Sequence, residues 1–257
     1  MNTLRTTAAD LEKRLREEGA TSEHHPWMPD CLILTSIGNM EQLPAFREGL
    51  FYVQDTAAKL SVLCAQLPKG ARVLDCCAAP GGKSFAAAMA GAGEIISCDI
   101  YPHETELIEK GAQRLGITNL TTRVCSAAEF QPQWESAMDA VIADVPCSGY
   151  GIIRKKPDIR YKDPDTMLQL PALQKQILHN QARYVKPGGV LLYSTCTLLR
   201  RENEDVVADF LKDNPEFTLE NLPLPAVFPQ NTTGMLTLVP GEYDTDGFFI
   251  CRLRRKL

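Results

Sequence analysis

From Arg72 onward, short apolar stretches alternate with helix-like ones, and this alternation limits the possible folds more than any other feature of the chain. RVLDCC (72–77), EIISCDI (94–100), LTTRVCS (120–126), AVIADVP (140–146) and VLLYSTC (190–196) read as strands. Residues 83–90, 104–115 (ended by Gly116), 165–185 (stopped at Pro187-Gly188-Gly189) and 202–212 read as helices. Strands and helices alternating every ~20–30 residues make a parallel sheet with helices on both faces. The tail changes pattern. MLTLVP (235–240) and GFFICRLR (247–254), joined by the turn-rich GEYDTD, read as an antiparallel pair at the sheet edge. Ahead of Arg72, residues 8–19 read as a charged helix ended by Gly19, 31–37 as a strand, and 50–67 as a helix closed by Pro68 and Gly70.

Composition adds limits. With 257 residues the chain makes one large domain, or one domain and a small extension. It has no apolar run of the roughly 18 residues that a membrane-spanning helix needs. Its first residues, MNTLRTTAADLEKRLREEG, are too polar for a secretory signal. A cytoplasmic protein is expected. Nine cysteines, none spaced C-x-x-C, and four histidines off metal-ligand spacing argue against zinc, and no metal is expected. Cys98, Cys125 and Cys251 lie in strand-like runs and read as small buried hydrophobes. The net charge of −5 counts mildly against nucleic acid. The charge is uneven, however. Arg154, Lys155, Lys156, Arg160 and Lys162 put five cations and one acid into nine residues, and Tyr161 sits among them. Such a run is either a solvated surface or a grip on phosphates, with Tyr161 free to stack on a base.

In parallel sheets of this kind, ligands bind beyond the carboxyl ends of the strands. The first strand runs into Cys77-Ala78-Ala79-Pro80-Gly81-Gly82-Lys83-Ser84. Small residues allow close backbone approach, and a helix N-terminus follows. The end of this segment looks like a phosphate-binding P-loop, but that motif needs glycine where Cys77 stands. The dinucleotide fingerprint is absent as well, which leaves S-adenosylmethionine, whose enzymes use a looser turn. Asp99, at the second strand end, is placed to accept from ribose hydroxyls or to cap a helix. The fourth and fifth strands deliver Asp144, Cys147 and Cys196 to the same sheet edge. Thiols at strand ends facing a cleft are candidate nucleophiles.

Three segments now carry a resemblance: Cys77-Ala-Ala-Pro-Gly-Gly-Lys83, Asp144-Val-Pro-Cys-Ser-Gly149 and Ser194-Thr-Cys-Thr197. With Arg154-Lys-Lys-Pro-Asp-Ile159 and Asp246-Gly-Phe-Phe-Ile250, they resemble, in order and spacing, the signatures of the Sun / NOL1-NOP2 family of RNA 5-methylcytosine methyltransferases. The likeness is strongest to its bacterial branch acting on 16S ribosomal RNA. It implies a Rossmann-like class I methyltransferase fold: an α/β, mostly parallel, doubly wound sheet with an antiparallel C-terminal edge pair. It also implies a division into a small, partial α+β RNA-binding region at 1–48 and a methyltransferase domain at 49–257. Asn2-Thr3-Leu4-Arg5 resembles a strand of that small region, so a fragment lacking the family's N-terminal helical RNA-binding domain is expected. A monomer is expected too.

The resemblance implies roles. Residues 77–83 hold the methionine end of S-adenosylmethionine, Asp99 the ribose, and Ser126 the adenine edge in place of the usual acidic residue. Asp144 sits between the methyl donor and the cytosine. Cys196 is the nucleophile and Cys147 helps to release the product. The chemistry suits these residue types. A thiolate added to carbon 6 of cytosine turns the ring into an enamine whose carbon 5 is nucleophilic toward a sulfonium methyl, and thiolate is also a good leaving group. Lys83 would lower the thiol pKa. A protonated Asp144, or one sharing a proton with ring nitrogen 3, would stabilise the electrons pushed into the ring. The cytosine must be splayed out, which unpaired RNA makes cheap. Alternatives are a transfer-RNA cytosine-5 methyltransferase of the same family, a methyltransferase for exocyclic amines (disfavoured because Cys147 replaces the aromatic of D-P-P-Y), and a non-catalytic RNA-binding assembly factor.

Overall fold

Apolar side chains run almost without interruption along the central strands, so the sheet must be covered on both faces, as the computed structural model shows for residues 1–36 and 38–257 (backbone only at Pro164 and Thr166). In chain order the elements are α1 (Ala8–Glu17), β1 (Thr21–His24), β2 (Leu32–Ser36), α2 (Pro44–Arg47), α3 (Thr56–Cys64), β3 (Arg72–Asp75), α4 (Gly82–Met89), β4 (Glu94–Asp99), α5 (Pro102–Leu115) and β5 (Leu120–Val124). Then follow β6 (Met138–Asp144), α6 (Pro164–Leu168), α7 (Leu170–Ala182), β7 (Val185–Thr195), α8 (Glu204–Asp213), β8 (Phe217–Leu219), β9 (Met235–Leu238) and β10 (Phe248–Arg255). The main sheet has the order β5-β4-β3-β6-β7-β10-β8, parallel from β5 to β7. β10 runs antiparallel to β7 and pairs on its other side with both β9 and β8. The expected pair, β9 and β10, is therefore present, but β10 is an interior strand.

Neighbouring residues of β3 show how the two faces are filled. Val73 joins Leu60, Ile95, Ile108 and Leu192 on the face covered by α3, α4 and α5. Leu74 joins Ile96, Val141, Ile177, Val206 and Phe210 on the face covered by α7 and α8. Side chains two apart share a face, and each such fully buried aliphatic contributes about 1.5–3 kcal/mol. A third cluster, with Leu11 and Leu15 of α1 and Ala45 of α2 at its centre, lies under the β1–β2 hairpin.

Several elements differ from the sequence reading. Residues 51–55 are extended, and α3 begins at Thr56 because Asp55 accepts from the Ala57 N–H and caps it. The long helix expected at 165–185 is two helices, and strand structure already resumes at Val185. Pro187-Gly188-Gly189 sits within β7 as an irregularity: Val185 pairs with Met138 and Val190 with Ala140, and Gly188 takes φ 77°. The helix expected from Glu202 starts at Glu204, after a 3-10 turn over Arg200–Glu202. Thr3 to Arg5 form a turn where a strand was expected; buried Asn2 anchors it, its amide donating to Gly49 O and Leu115 O, both at 2.8 Å. Strands β1 and β8 and helix α2 were not anticipated. Ile37, the last residue of the strand expected at 31–37, lies outside the described residues. Among the described residues, no helix is long and apolar enough to cross a membrane.

Candidate active site

β3 lies between β4 and β6, and from it the chain order runs one way through β4 and β5 and the other way through β6 and β7. The carboxyl ends beside this switch point carry the candidate residues. β3 ends in Asp75, which is fully buried. Ser84 Oγ donates to its Oδ2 at 2.7 Å, while Oδ1 has no partner. Burial pushes this carboxyl up to about 7, against the Ser84 hydrogen bond and the nearby Lys83 charge. In the turn that follows, Gly81 adopts φ 105°, and a Cβ there would come within 2.5 Å of the Phe85 ring. Both demands require glycine. No side chain caps α4, so its first N–H groups are left for another acceptor.

The other residues expected around a cofactor follow in order. Cys77 is half-buried with its thiol 3.8 Å from that of Cys76. The Ala78 N–H donates to Cys98 O at 2.9 Å, fixing the turn against β4. Pro80 follows a cis peptide bond from Ala79, and Gly82 packs against Gln54. Asp99 does not cap α5, whose N-cap is Tyr101; it accepts from the N–H groups of Ala79 at 3.3 Å and Tyr101 at 3.4 Å. Ser126, just past β5, accepts from the Ala128 N–H at 3.3 Å. Cys98 and Cys251 are buried as expected. Cys125 is only half-buried, its thiol paired with that of Cys98.

The ends of β6 and β7 bring four expected residues together. Lys83, from α4, donates to Asp144 Oδ2 at 2.5 Å, and Ser194 Oγ donates to Asp144 Oδ1 at 2.7 Å. Beside them the thiols of Cys147 and Cys196 lie 3.2 Å apart. The Cys147 S–H donates to Cys196, which lowers the Cys196 pKa below the ordinary thiol value despite burial and the Asp144 charge; Lys83 adds to the effect. Cys147 moves the opposite way, well up, because it holds the shared proton and is buried. For Lys83, burial opposes the charged form, but Asp144 outweighs it and the pKa rises. The Lys83 ammonium therefore favours the ionised form of Cys196, and its Nζ also lies 5.3 Å from the Phe248 ring centroid on β10.

Residues the sequence reading passed over hold the two cysteine loops in place. Glu202 is fully buried, and its Oε2 accepts from the Ser148 N–H and from Gln174 Nε2, both at 2.9 Å. Ser148 Oγ and Thr197 Oγ1 are 2.8 Å apart, and Asn203 Nδ2 donates to Thr197 O at 3.0 Å. One buried carboxylate thus ties the segment after Cys147 to the turn after Cys196. Two glycines add a second tie. The Gly151 N–H donates to Cys196 O and the Gly247 N–H to Gly151 O, both at 2.9 Å. A Cβ on Gly151 would meet Gly247 O at 2.1 Å.

The cationic run is less free than its composition suggests. Lys155 bridges Asp55 at 2.9 Å and buried Asp246 at 2.6 Å, which accounts for the Asp-Gly-Phe-Phe segment near the C-terminus. Arg154 reaches Asp246 only at 3.8 Å and stays largely exposed. A 3-10 turn over Pro157–Tyr161, anchored by buried Ile159, leaves Lys156, Arg160, Lys162 and Tyr161 on the surface.

The pattern of the 16S rRNA methyltransferase RsmB/F family matches residues 62–254. The chain belongs to that family. It is 36% identical over 264 residues to the probable ribosomal RNA small subunit methyltransferase B of Bacillus subtilis, covering 100% of this chain and 59% of that protein. To the ribosomal RNA small subunit methyltransferase F of Klebsiella pneumoniae it is 33% identical over 270 residues, covering 99% and 56%. Among solved structures, a methyltransferase homolog protein from Pyrococcus horikoshii superposes with a TM-score of 0.82 at 29% identity, covering 100% of this chain and 85% of that one. The family's curated members thus extend well beyond the length this chain spans. Its fold is the Rossmann-like class I methyltransferase fold, with the antiparallel β10 beside β7.

Proposed function

We propose that this protein methylates carbon 5 of a cytosine in 16S ribosomal RNA, using S-adenosylmethionine as methyl donor and Cys196 as nucleophile. The observation that carries this reading is the pair of thiols 3.2 Å apart, polarised toward a Cys196 thiolate beside the Lys83 ammonium. The ribosomal substrate follows from the relatives' names.

The residues present fit the cofactor. Asp75 offers a buried acceptor without a partner, α4 an uncapped N-terminus, and Asp99 a carboxylate at the next strand end. Residues 77–83, Asp99, Ser126 and Asp144 would hold it. S-adenosylmethionine, when bound, supplies an electrophilic methyl on a cationic sulfur.

The chain's own residues do the rest. Cys196 sulfur bonds to carbon 6 of the splayed cytosine, and the displaced electron pair moves toward ring nitrogen 3, where Asp144 and Lys83 supply a proton. Carbon 5 thereby becomes nucleophilic. After methylation, the hydrogen on carbon 5 leaves as a proton to a base. The carbon 5–carbon 6 double bond re-forms and expels the Cys196 thiolate, to which Cys147 gives its hydrogen bond. Arg154, Lys156, Arg160 and Lys162 contact RNA phosphates, while Lys155 positions Arg154 from its two carboxylates. Residues 1–48 form the RNA-facing flank of the methyltransferase domain at 49–257. The test is methyl transfer to unmodified 16S RNA with the product nucleoside identified. Appearance of 5-methylcytosine supports the reading; methylation of another atom overturns it.

A further inference from the structure

A cavity of about 600 Å³ lies away from the cysteines, between the N-terminal hairpin and the extended segment at 51–55. Its lining is mixed: Leu34, Met40 and Phe51 are apolar, Gln54 is polar, and Arg154 and Asp244 are charged. None of Asp99, Ser126, Asp144, Cys147, Cys196 or residues 77–83 lines it.

Two connections tie it to the active site. Gln54 packs on Gly82 at the start of α4. On the other side, the Gly151 N–H donates to Cys196 O, and Arg154 follows three residues later. Three residues span at most about 11 Å even when fully extended. The backbone of Arg154, whose side chain lines the cavity, therefore lies within about 11 Å of the Gly151 backbone that holds Cys196 O.

We propose that this cavity receives the base of the nucleotide next to the target cytosine, with Arg154 on its phosphate. The proposal rests on the RNA methyltransferase reading above and names a second base site for it. The chemistry suits such a ligand. A nucleotide has a flat, largely apolar body with polar edges and an anionic group at one side. The cavity lining offers apolar side chains, polar side chains and a cation. His25 is buried, with its ring nitrogens on the Trp27 N–H and, at 3.4 Å, on Thr56 Oγ1, so it is a fixed part of the lining, and the Gln54 side chain brings an amide for a base edge. The other cations there are already committed, Lys59 to Asp30 at 2.6 Å and Lys155 to Asp55 and Asp246. Arg154, with its single 3.8 Å contact, retains donors for a phosphate. Flipping one base unstacks its neighbour, and a protein that seats the neighbour too recovers the lost stacking.

The test uses fluorescently labelled single-stranded 16S RNA oligonucleotides carrying, unmodified, the cytosine that the methyl-transfer assay identifies as the target, either intact or with an abasic nucleotide directly 5′ or directly 3′ of it. Affinity is read by anisotropy. Removing the base on one side is expected to weaken binding about tenfold, the loss of one seated base. Leu34→Trp, which fills the cavity, should bind intact RNA about as weakly and become indifferent to the abasic site. Arg154→Ala should weaken the intact and abasic RNAs alike. Abasic RNAs that both bind wild-type protein as well as the intact one overturn the proposal, and should Leu34→Trp fail to fold, this comparison decides alone. A folded Leu34→Trp that binds RNA normally also overturns it. If the intact RNA binds without being methylated, the functional reading falls while the abasic comparison still decides the cavity.

Discussion

The Sγ atoms of Cys147 and Cys196 lie 3.2 Å apart although 49 residues separate them in the chain. β6 and β7 are parallel neighbours, Asp144 pairs with Ser194, and both strands release their chains at the same sheet edge. The register of two strands therefore sets the geometry of the thiol pair, and the shared proton divides the labour between the two sulfurs.

Removing Cys147 should stall the reaction after the bond to carbon 6 has formed. Cys147→Ala mixed with 16S RNA and S-adenosylmethionine is expected to give a covalent protein–RNA species on a denaturing gel. Cys147→Ala, Cys196→Ala should give none. Absence of the band in the single variant would move Cys147 to a structural role.

The thiolate should also be visible without RNA. Alkylation by iodoacetamide, followed at the Cys196 peptide by mass spectrometry, reports the thiolate fraction. Its pH midpoint in the wild type should lie below that of an ordinary thiol. The Cys147 hydrogen bond and the Lys83 charge both favour the thiolate, so Cys147→Ala and Lys83→Met should each move the midpoint up. Superimposable profiles would contradict the electrostatic account.

Glu202 makes a prediction about position. Glu202→Ala leaves the Ser148 N–H buried without an acceptor, at a cost of about 1–3 kcal/mol, and takes one of two acceptors from Gln174 Nε2, which keeps Pro146 O. Thermal stability and kcat should both fall while the Kd for S-adenosylmethionine holds. Glu202→Gln keeps one carbonyl oxygen for both donors and should restore most of the kcat. If the two variants are equally impaired, the carboxylate acts by something other than this hydrogen bonding.

Asp75 gives a pH dependence. Its native pKa of about 7 exceeds the unfolded value of about 3.9, so the native state keeps its proton longer. The stability from this group is present below pH ~4 and is lost as pH rises through ~7. Asp75→Asn removes that loss, so its melting temperature relative to wild type, without ligand, should climb between pH 4 and 8. A constant difference across that range would mean that burial is not what raises the carboxyl.

Much of this was legible in the sequence because strand ends have a fixed meaning in a parallel sheet. Asp99, Asp144, Cys147 and Cys196 could be named from strand positions alone, and the alternation that sends Val73 and Leu74 to opposite faces is local. What was not legible depends on distant partners. Glu202 looked like an exposed helix start, and only packing against the Ser148 loop makes it a buried clamp. Lys155 looked like its cationic neighbours until Asp55 and Asp246, 100 and 91 residues away in sequence, were found on either side of it. The late start of the helix expected at 50–67 did have a signal, since Asp55 followed by Thr-Ala-Ala is an N-capping sequence. Pro187-Gly188-Gly189 reads as a stop locally, yet pairing with β6 carries the strand across it.

The central claim is the reaction and its nucleophile, and one assay addresses both. Labelled S-adenosylmethionine is incubated with unmodified 16S RNA and either the wild-type protein or Cys196→Ala, and the RNA is digested to nucleosides. The account predicts labelled 5-methylcytosine with the wild type and none with Cys196→Ala, although that variant still binds S-adenosylmethionine. Label in 5-methylcytosine at a normal rate with Cys196→Ala, or label in any other nucleoside, would contradict it.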